Sequence, residues 1–405
     1  MNKITDRKKV RAYSLLFMTV YLISYITRIN YGAVISEMVR DTGLSKAALS
    51  LALTGSFISY GIGQVVSGKL GDKFQPKNLI AAGLSVTVFM NLLIPVCTSP
   101  YQMLAVWSIN GASQSFLWPP LVRLMTTVFT PEDYSKACVM TSWGSAGGTI
   151  LIYLTTPLFI TLWGWKSVFL ISAACGIIMI AVWMKFCCKI EPQSENNEKS
   201  TDKKGKSVFH ILFMPVMLWI MLAIIIQGAL RDGITTWMPS YISETYNLST
   251  EIAILTNVIL PLFSIICFQI AEFLYRKIFK NPLICAGVIF GIGAASAIFM
   301  VIFSGSSAVL SIICSAVLTG CMHGVNLILI CMLPTFFYKY GIVSTASGIL
   351  NSCTYIGSAI STYTTAVLSE TFGWNTALYI WIASAVLGTA VCLMCAKPWN
   401  RFAKS

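Results

Sequence analysis

YSLLFMTVYLISYITRINYGAVISEM, residues 13–38, is a membrane-length apolar stretch with an arginine, Arg28, near its centre. An arginine near the middle of a bilayer costs about 2.5–3.5 kcal/mol on insertion scales, so it normally faces a polar cavity. A second arginine, Arg231, follows roughly 200 positions later in another long apolar stretch, close to half a chain length away. Buried cations at matching places in two halves indicate one central site shared between them.

The composition predicts an all-α integral membrane protein. The chain has 405 residues, of which 56% are hydrophobic and 11% are charged, and its mean hydropathy is +0.75. Soluble domains have about a quarter charged residues. Apolar stretches of about 20 residues can each cross the hydrocarbon core. We predict twelve transmembrane helices at about 12–38, 46–70, 78–97, 101–128, 134–160, 166–187, 210–242, 250–275, 282–304, 307–337, 342–368 and 374–396.

The distribution of the basic residues predicts the orientation of the chain. The net charge is +13, and most Lys and Arg residues fall on one side of the predicted spans, whereas Arg40, Lys46 and Lys166 fall on the other. By the positive-inside rule both termini are expected in the cytoplasm, and the first span is expected to remain in the mature protein. The basic excess therefore indicates membrane topology and contact with lipid, and no nucleic-acid partner is expected.

The chain is expected to consist of two related halves. Residues 189–206, KIEPQSENNEKSTDKKGK, are polar and read as a cytoplasmic linker. They separate an N-terminal six-helix lobe, 1–188, from a C-terminal six-helix lobe, 207–405. The sequence TLWGWKSVFLIS at 161–172 recurs as TFGWNTALYIWI at 371–382. Such internal repetition is typical of two-lobed secondary transporters.

The segment Gly68–Lys77, GKLGDKFQPK, resembles the loop signature of the major facilitator superfamily between its second and third helices. Its aspartate, Asp72, can pair with cations or cap a neighbouring helix end. Glu272 is its expected counterpart in the second half. The resemblance implies a major facilitator fold with two pseudo-symmetric lobes. The expected gating and structural residues are Gly68, Asp72, Lys73, Glu272 and Arg276.

Three further motifs resemble the organophosphate:phosphate antiporter family, which includes transporters of glycerol phosphate and hexose phosphates. They are Tyr25–Asn30 (YITRIN) in the first span, Asn110–Gln114 with Trp118-Pro119-Pro120 and Arg123 in the fourth, and Leu230–Gly233 with Trp237–Tyr241 in the seventh. The resemblance implies that Arg28 and Arg231 bind the phosphate group of the substrate. A guanidinium group suits this role because its planar donors hold phosphate or carboxylate bidentately.

Two positions depart from the pattern of this family. Gln64 stands where its glycerol-phosphate and hexose-phosphate members have a lysine, and Trp143 stands where a histidine is frequent. A smaller positive field would suit a less charged anion, a bulkier anion or a ligand that is partly sugar. The remaining candidate substrate-binding residues are polar or aromatic side chains within the spans, for which contact with substrate and helix packing are both open: Tyr25, Tyr60, Asn110, Gln114, Trp118, Asp232, His323 and Asn326.

No enzyme, cofactor or metal site is expected. The sequence has no zinc cluster, Ser-His-Asp set or paired carboxylates in a polar domain that could house them. Asp232 and His323 are the candidates for titration inside the spans, and exchange of one anion for another needs no titration.

We therefore predict a secondary transporter in the bacterial inner membrane, monomeric, that exchanges a phosphorylated metabolite for phosphate by alternating access. Two alternatives remain at this stage. One is a membrane sensor that binds sugar phosphate and signals to a partner kinase, as one branch of the resembled family does. The other is a transporter of organic carboxylates or a proton-coupled transporter.

Overall fold

A computed structural model describes residues 3–44, 46–187, 214–247 and 258–404, and the predicted linker 189–206 lies outside these ranges. The regular structure of the described residues is helical. The α-helices are α1 (Arg7–Thr42), α2 (Lys46–Lys73), α3 (Pro76–Leu93), α4 (Pro100–Gln114), α5 (Trp118–Val128), α6 (Pro131–Trp163), α7 (Trp165–Cys187), α8 (Pro215–Tyr246), α9 (Ile259–Phe273), α10 (Pro282–Ile302), α11 (Ala308–Asn326), α12 (Val343–Phe372) and α13 (Trp374–Lys404). Short π or 3-10 segments extend three of them: Ile94–Val96 after α3, Leu274–Ile278 after α9, and Leu327–Met332 with Leu333–Tyr340 after α11.

Nine helical segments within the described ranges are long and apolar enough to cross a membrane. The predicted spans 46–70, 101–128 and 342–368 correspond to α2, to α4 with α5, and to α12, which are not among the nine. The first residues of the predicted span 250–275 lie outside the described ranges. The all-α membrane architecture is therefore confirmed, whereas the count of twelve stays a prediction.

The fourth predicted span is interrupted, which the apolar pattern alone did not indicate. Helix α4 ends at Gln114 and α5 begins at Trp118, directly before Pro119 and Pro120. A proline within a helix lacks the donor N–H and its ring clashes with the carbonyl four residues earlier. For these two prolines those carbonyls belong to Ser115 and Phe116, so the helix breaks at this point.

The halves repeat one helix-to-helix turn in detail. Gly164 ends α6 with φ 75° and Gly373 ends α12 with φ 79°, a conformation that favours glycine. The next residue in each half is a tryptophan whose indole N–H donates to a carboxylate. Trp165 bonds Asp41 Oδ2 at 2.7 Å near the end of α1, and Trp374 bonds Glu244 Oε2 at 2.8 Å near the end of α8. Helices α1 and α8 therefore hold equivalent places in the two repeats.

The contacts between helices divide the chain into two compact units. The first unit contains Met1–Val208 and Phe337–Ile349, and the second contains Phe209–Phe336 and Leu350–Ser405. In the first unit α1 and α3 pack on α7 and α2 packs on α4, and in the second α8 and α10 pack on α13 and α9 packs on α11. Phe337–Ile349 groups with the first unit, and the lobes 1–188 and 207–405 with their linker stay a prediction.

Glycines permit the closest helix approaches, as expected where small residues line helix interfaces in membranes. In the first unit Gly148 of α6 faces α1, where an added Cβ would lie 2.6 Å from the Leu22 carbonyl oxygen and 3.0 Å from Tyr25 Cβ. In the second unit Gly357 of α12 approaches the Ile225 carbonyl of α8 in the same way. Each repeat thus brings its first helix against a glycine of a partner helix.

We expect Gly148→Ala to destabilise the protein by about 1–3 kcal/mol, because the new methyl group must push α1 away from α6. Gly147→Ala is the matched control, since a Cβ there meets only Leu22 Cδ1 at 3.7 Å, an ordinary contact. Thermal unfolding of the purified variants measures the difference. Equal melting temperatures would contradict the close approach of the two helices.

Candidate anion-binding site

Arg28 lies on α1 among aromatic side chains of the first unit. Its guanidinium carbon is 4.3 Å from the ring centroid of Tyr25 and 4.9 Å from that of Tyr60. Tyr25 contacts Tyr21 with centroids 5.3 Å apart, and Tyr21 contacts Trp118 at 5.1 Å. A planar guanidinium group is attracted to the faces of aromatic rings by cation–π interaction. The sequence analysis predicted Tyr25, Tyr60 and Trp118 as candidate substrate-binding residues and missed Tyr21.

The amides of α4 hold α1 in place just before Arg28. Gln114 Nε2 donates to the Ser24 carbonyl at 3.2 Å and to Thr27 Oγ1 at 3.0 Å, and Ser24 Oγ donates to Gln114 Oε1 at 2.6 Å. Asn110 Nδ2 donates to the Thr27 carbonyl at 3.3 Å. Of the two roles open for these amides, the structure shows interhelical hydrogen bonding.

A further amide pair extends this network on the other side of Arg28. Asn30 Nδ2 donates to Asn91 Oδ1 at 2.7 Å, and Asn91 Nδ2 donates to the Thr27 carbonyl at 3.0 Å. Sequence reasoning missed Asn91, although a polar side chain in the middle of the apolar helix α3 is the signal that could have identified it. Arg28 is therefore carried on a segment of α1 that α3 and α4 fix through polar bonds.

Gln64 and Trp143, the two departures from the resembled family, both belong to the first unit. Gln64 is fully buried, and its Nε2 donates to the Ser115 carbonyl at 3.4 Å, in the break between α4 and α5. Trp143 is half-buried on α6. The buried indole N–H groups of Trp143 and Trp118 have no hydrogen-bond acceptor among the described residues.

Arg231 on α8 forms a bidentate ion pair with the next residue, Asp232. Its Nε lies 2.7 Å from Asp232 Oδ1 and one Nη lies 2.8 Å from Oδ2. Ser358 of α12 donates its hydroxyl to the same carboxylate. Both charged side chains are mostly buried, with 13% of Arg231 and 32% of Asp232 exposed. Neighbouring residues on a helix do not normally face each other, so this pairing is a specific local arrangement.

His323 lies on α11 within electrostatic range of Arg231 and Asp232. Its ring packs edge-on against Phe268, with centroids 5.5 Å apart. Asn326 is the last residue of α11 and is half-buried. The second unit thus groups Arg231, Asp232, Ser358 and His323, of which the sequence did not indicate Ser358.

Asp72, at the end of α2 and outside the predicted span, caps the start of α12. Its carboxylate accepts the backbone N–H groups of Ser344 at 2.9 Å and Thr345 at 2.7 Å, where the helix dipole favours an anion. Burial raises the pKa of the Asp72 carboxyl, and these hydrogen bonds act in the opposite direction. Of the two roles open for this aspartate, the structure shows the helix cap.

The other residues of the loop signature have less specific surroundings. A Cβ on Gly68 would lie 2.8 Å from the Ser344 carbonyl oxygen, so this glycine permits close packing, and Lys73 is exposed at the end of α2. Glu272, the expected counterpart of Asp72, accepts a bond from Arg276 one turn later at 3.0 Å. Glu272 therefore pairs with a residue one turn later in its own part of the chain, whereas Asp72 caps a different helix.

Comparisons with known proteins agree with this architecture. The family model described as Major Facilitator Superfamily matches residues 17–362. The chain is 25% identical to the glycerol-3-phosphate transporter of Bacillus subtilis (strain 168) over 99% of this chain and 96% of that protein. It is 24% identical to a probable hexose phosphate transport protein of Chlamydia muridarum (strain MoPn / Nigg), over 97% and 91%. Its fold is similar to that of a transporter, FucP, in the outward conformation, with a TM-score of 0.74, 13% identity and coverage of 95% and 97%.

Proposed function

Because this chain belongs to the Major Facilitator Superfamily, we propose that it is a secondary transporter that exchanges a phosphorylated metabolite, a sugar phosphate or glycerol phosphate, for phosphate. The observation that carries this proposal is the presence of Arg28 and Arg231 on α1 and α8, the helices that the repeated tryptophan–carboxylate bonds identify as equivalent. The relatives named above, a glycerol-3-phosphate transporter and a hexose phosphate transport protein, support the same substrate class.

Both arginines bind the same anion in this proposal. A guanidinium group keeps its charge at any physiological pH and matches the spacing of phosphate oxygens. The aromatic rings beside Arg28 suit a substrate that carries an organic group next to its phosphate. Arg231 adds the second cation, so that a phosphate ester is held from both repeats.

Alternating access then follows from electrostatics. An anion bound to both arginines reduces the repulsion between the two cations, which lowers the barrier to closing the site around it. An empty site keeps two like charges, and these resist closure. Exchange is therefore favoured over return of the empty carrier. The protein acts as a monomer in the bacterial inner membrane, with both termini in the cytoplasm.

A thermal-shift screen of the purified protein tests the substrate class. We expect glycerol 3-phosphate, hexose 6-phosphates and inorganic phosphate to raise the melting temperature, because a ligand that binds only the folded state stabilises it by mass action. At a ligand concentration 100 times the Kd, the stabilisation is about 2.7 kcal/mol. Stabilisation by dicarboxylates alone would contradict the proposal and favour a carboxylate transporter.

A further inference from the structure

The bidentate donors of Arg231 are occupied by a carboxylate of the chain itself. Nε and one Nη of the guanidinium bond the two oxygens of Asp232 at 2.7 Å and 2.8 Å. This is the geometry in which an arginine holds a phosphate or carboxylate ligand. An anion that uses the same two donors must therefore displace Asp232.

The surroundings of Asp232 determine what happens to it after displacement. Ser358 donates one hydrogen bond to the carboxylate, and the titratable or charged groups that interact with it are Arg231 on its own helix and His323 on α11. Helix α13, which also packs on α8, carries its charged residues Lys397, Arg401 and Lys404 in its last turns. The charged residue of α12, Glu370, follows Ser358 by more than three turns along the helix.

Of the described groups that interact with Asp232, namely Arg231, Ser358 and His323, only Arg231 carries a permanent positive charge. His323 lies close by, but it shares the same mostly buried environment and is packed edge-on against Phe268. About two thirds of the Asp232 side chain is buried, since 32% of it is exposed, and a partly buried carboxylate that loses its neighbouring cation shifts toward its neutral form. Protonation removes the buried charge and also turns the carboxyl group into a hydrogen-bond donor.

We propose that Asp232 is an internal competitor for Arg231 that takes up one proton when the transported anion replaces it. The bonds between Arg231 and Asp232 break, the anion accepts the two guanidinium donors, and a proton from solvent forms an O–H bond on Asp232. This inference rests on the proposed function, because it assumes that Arg231 is an anion ligand. During exchange the proton accompanies the anion in each direction, so one-for-one exchange needs no net proton flux.

Isothermal titration calorimetry with inorganic phosphate tests this proposal on the full-length protein in detergent. Titrations at about pH 8.5, above the second ionisation of phosphate, are run in buffers that differ in ionisation enthalpy. The dependence of the heat on the buffer gives the number of protons bound per phosphate. The wild type should take up about one proton per phosphate bound.

Asp232→Asn should abolish this proton uptake, and its Kd for phosphate should fall about tenfold because the charged competitor is gone. Asp133→Asn is the matched control, since Asp133 forms an ion pair with Arg7 at 3.3 Å outside the candidate site, and it should behave as the wild type. If Asp232→Asn does not fold, Asp232→Ser removes the carboxylate with a smaller side chain.

The outcomes separate two kinds of failure. Phosphate binding that keeps its proton uptake in Asp232→Asn would place the proton on the ligand or on another group and overturn the role of Asp232. Unchanged affinity in that variant would overturn competition for Arg231. Wild-type protein that binds no phosphate, or binding that survives Arg231→Gln, would instead show that the proposed function itself fails.

Discussion

Arg28→Lys and Arg231→Lys are each expected to lower transport by about 10- to 100-fold while the protein remains folded and inserted. Lysine keeps the positive charge but loses the planar pair of donors, and a hydrogen bond to a charged group is worth about 1.5–3 kcal/mol. At Arg28 the change also removes the flat group that lies against Tyr25 and Tyr60. At Arg231 it removes the bidentate geometry that now holds Asp232.

Uptake of labelled glycerol 3-phosphate into proteoliposomes measures this effect, with the amount of inserted protein determined for each variant. Arg40→Lys is the matched control, because Arg40 is an exposed arginine paired with Glu37 on its own helix, and exposed ion pairs contribute about 0–1 kcal/mol. Its uptake should match that of the wild type. Wild-type uptake in either Arg28→Lys or Arg231→Lys would rule out a phosphate site that needs both guanidinium groups.

The sequence predicted the features of the fold that depend on short stretches of residues. Membrane-length apolar stretches predicted helices, and the repeated Gly-Trp pairs predicted two related halves. The structure gives the physical reason for that repeat, since Gly164 and Gly373 both adopt positive φ and each following indole bonds a carboxylate of the first helix of its half. The break between α4 and α5 was less predictable, because the apolar stretch continues through it. Its position follows from Pro119 and Pro120, whose rings clash with the carbonyls four residues earlier in a continuous helix.

The arginines of the candidate site were predictable, as were Tyr25 and Tyr60 beside Arg28, whereas the ion pair that Arg231 forms was not. A charge in an apolar stretch is visible in any sequence, whereas Asp232 next to Arg231 gives no sign that the two side chains meet. Ser358, a hydroxyl from another helix, completes their arrangement. The roles of Gln114 and Asn110 were likewise not predictable. Their hydrogen bonds to Ser24 and Thr27 of α1 are visible only in the three-dimensional structure.

The second large effect is expected in the dependence of substrate uptake on an anion inside the liposomes. An exchanger needs an anion on the far side of the membrane, so removing the internal anion should abolish most uptake. His323→Gln should be tolerated, because glutamine keeps hydrogen-bonding capacity and the exchange of one anion for another does not require a proton on this side chain. A proton symporter would behave in the opposite way, with accumulation driven by a pH gradient and lost in the histidine variant. A sensor would bind the ligand without moving it.

The most direct test of an anion exchanger is uptake of labelled glycerol 3-phosphate into proteoliposomes with and without internal phosphate, each with and without an imposed pH gradient. Rapid uptake is expected only in the phosphate-loaded liposomes, at a rate that depends on the internal phosphate concentration and survives dissipation of the pH gradient. Uptake into empty liposomes driven by the pH gradient alone would contradict exchange.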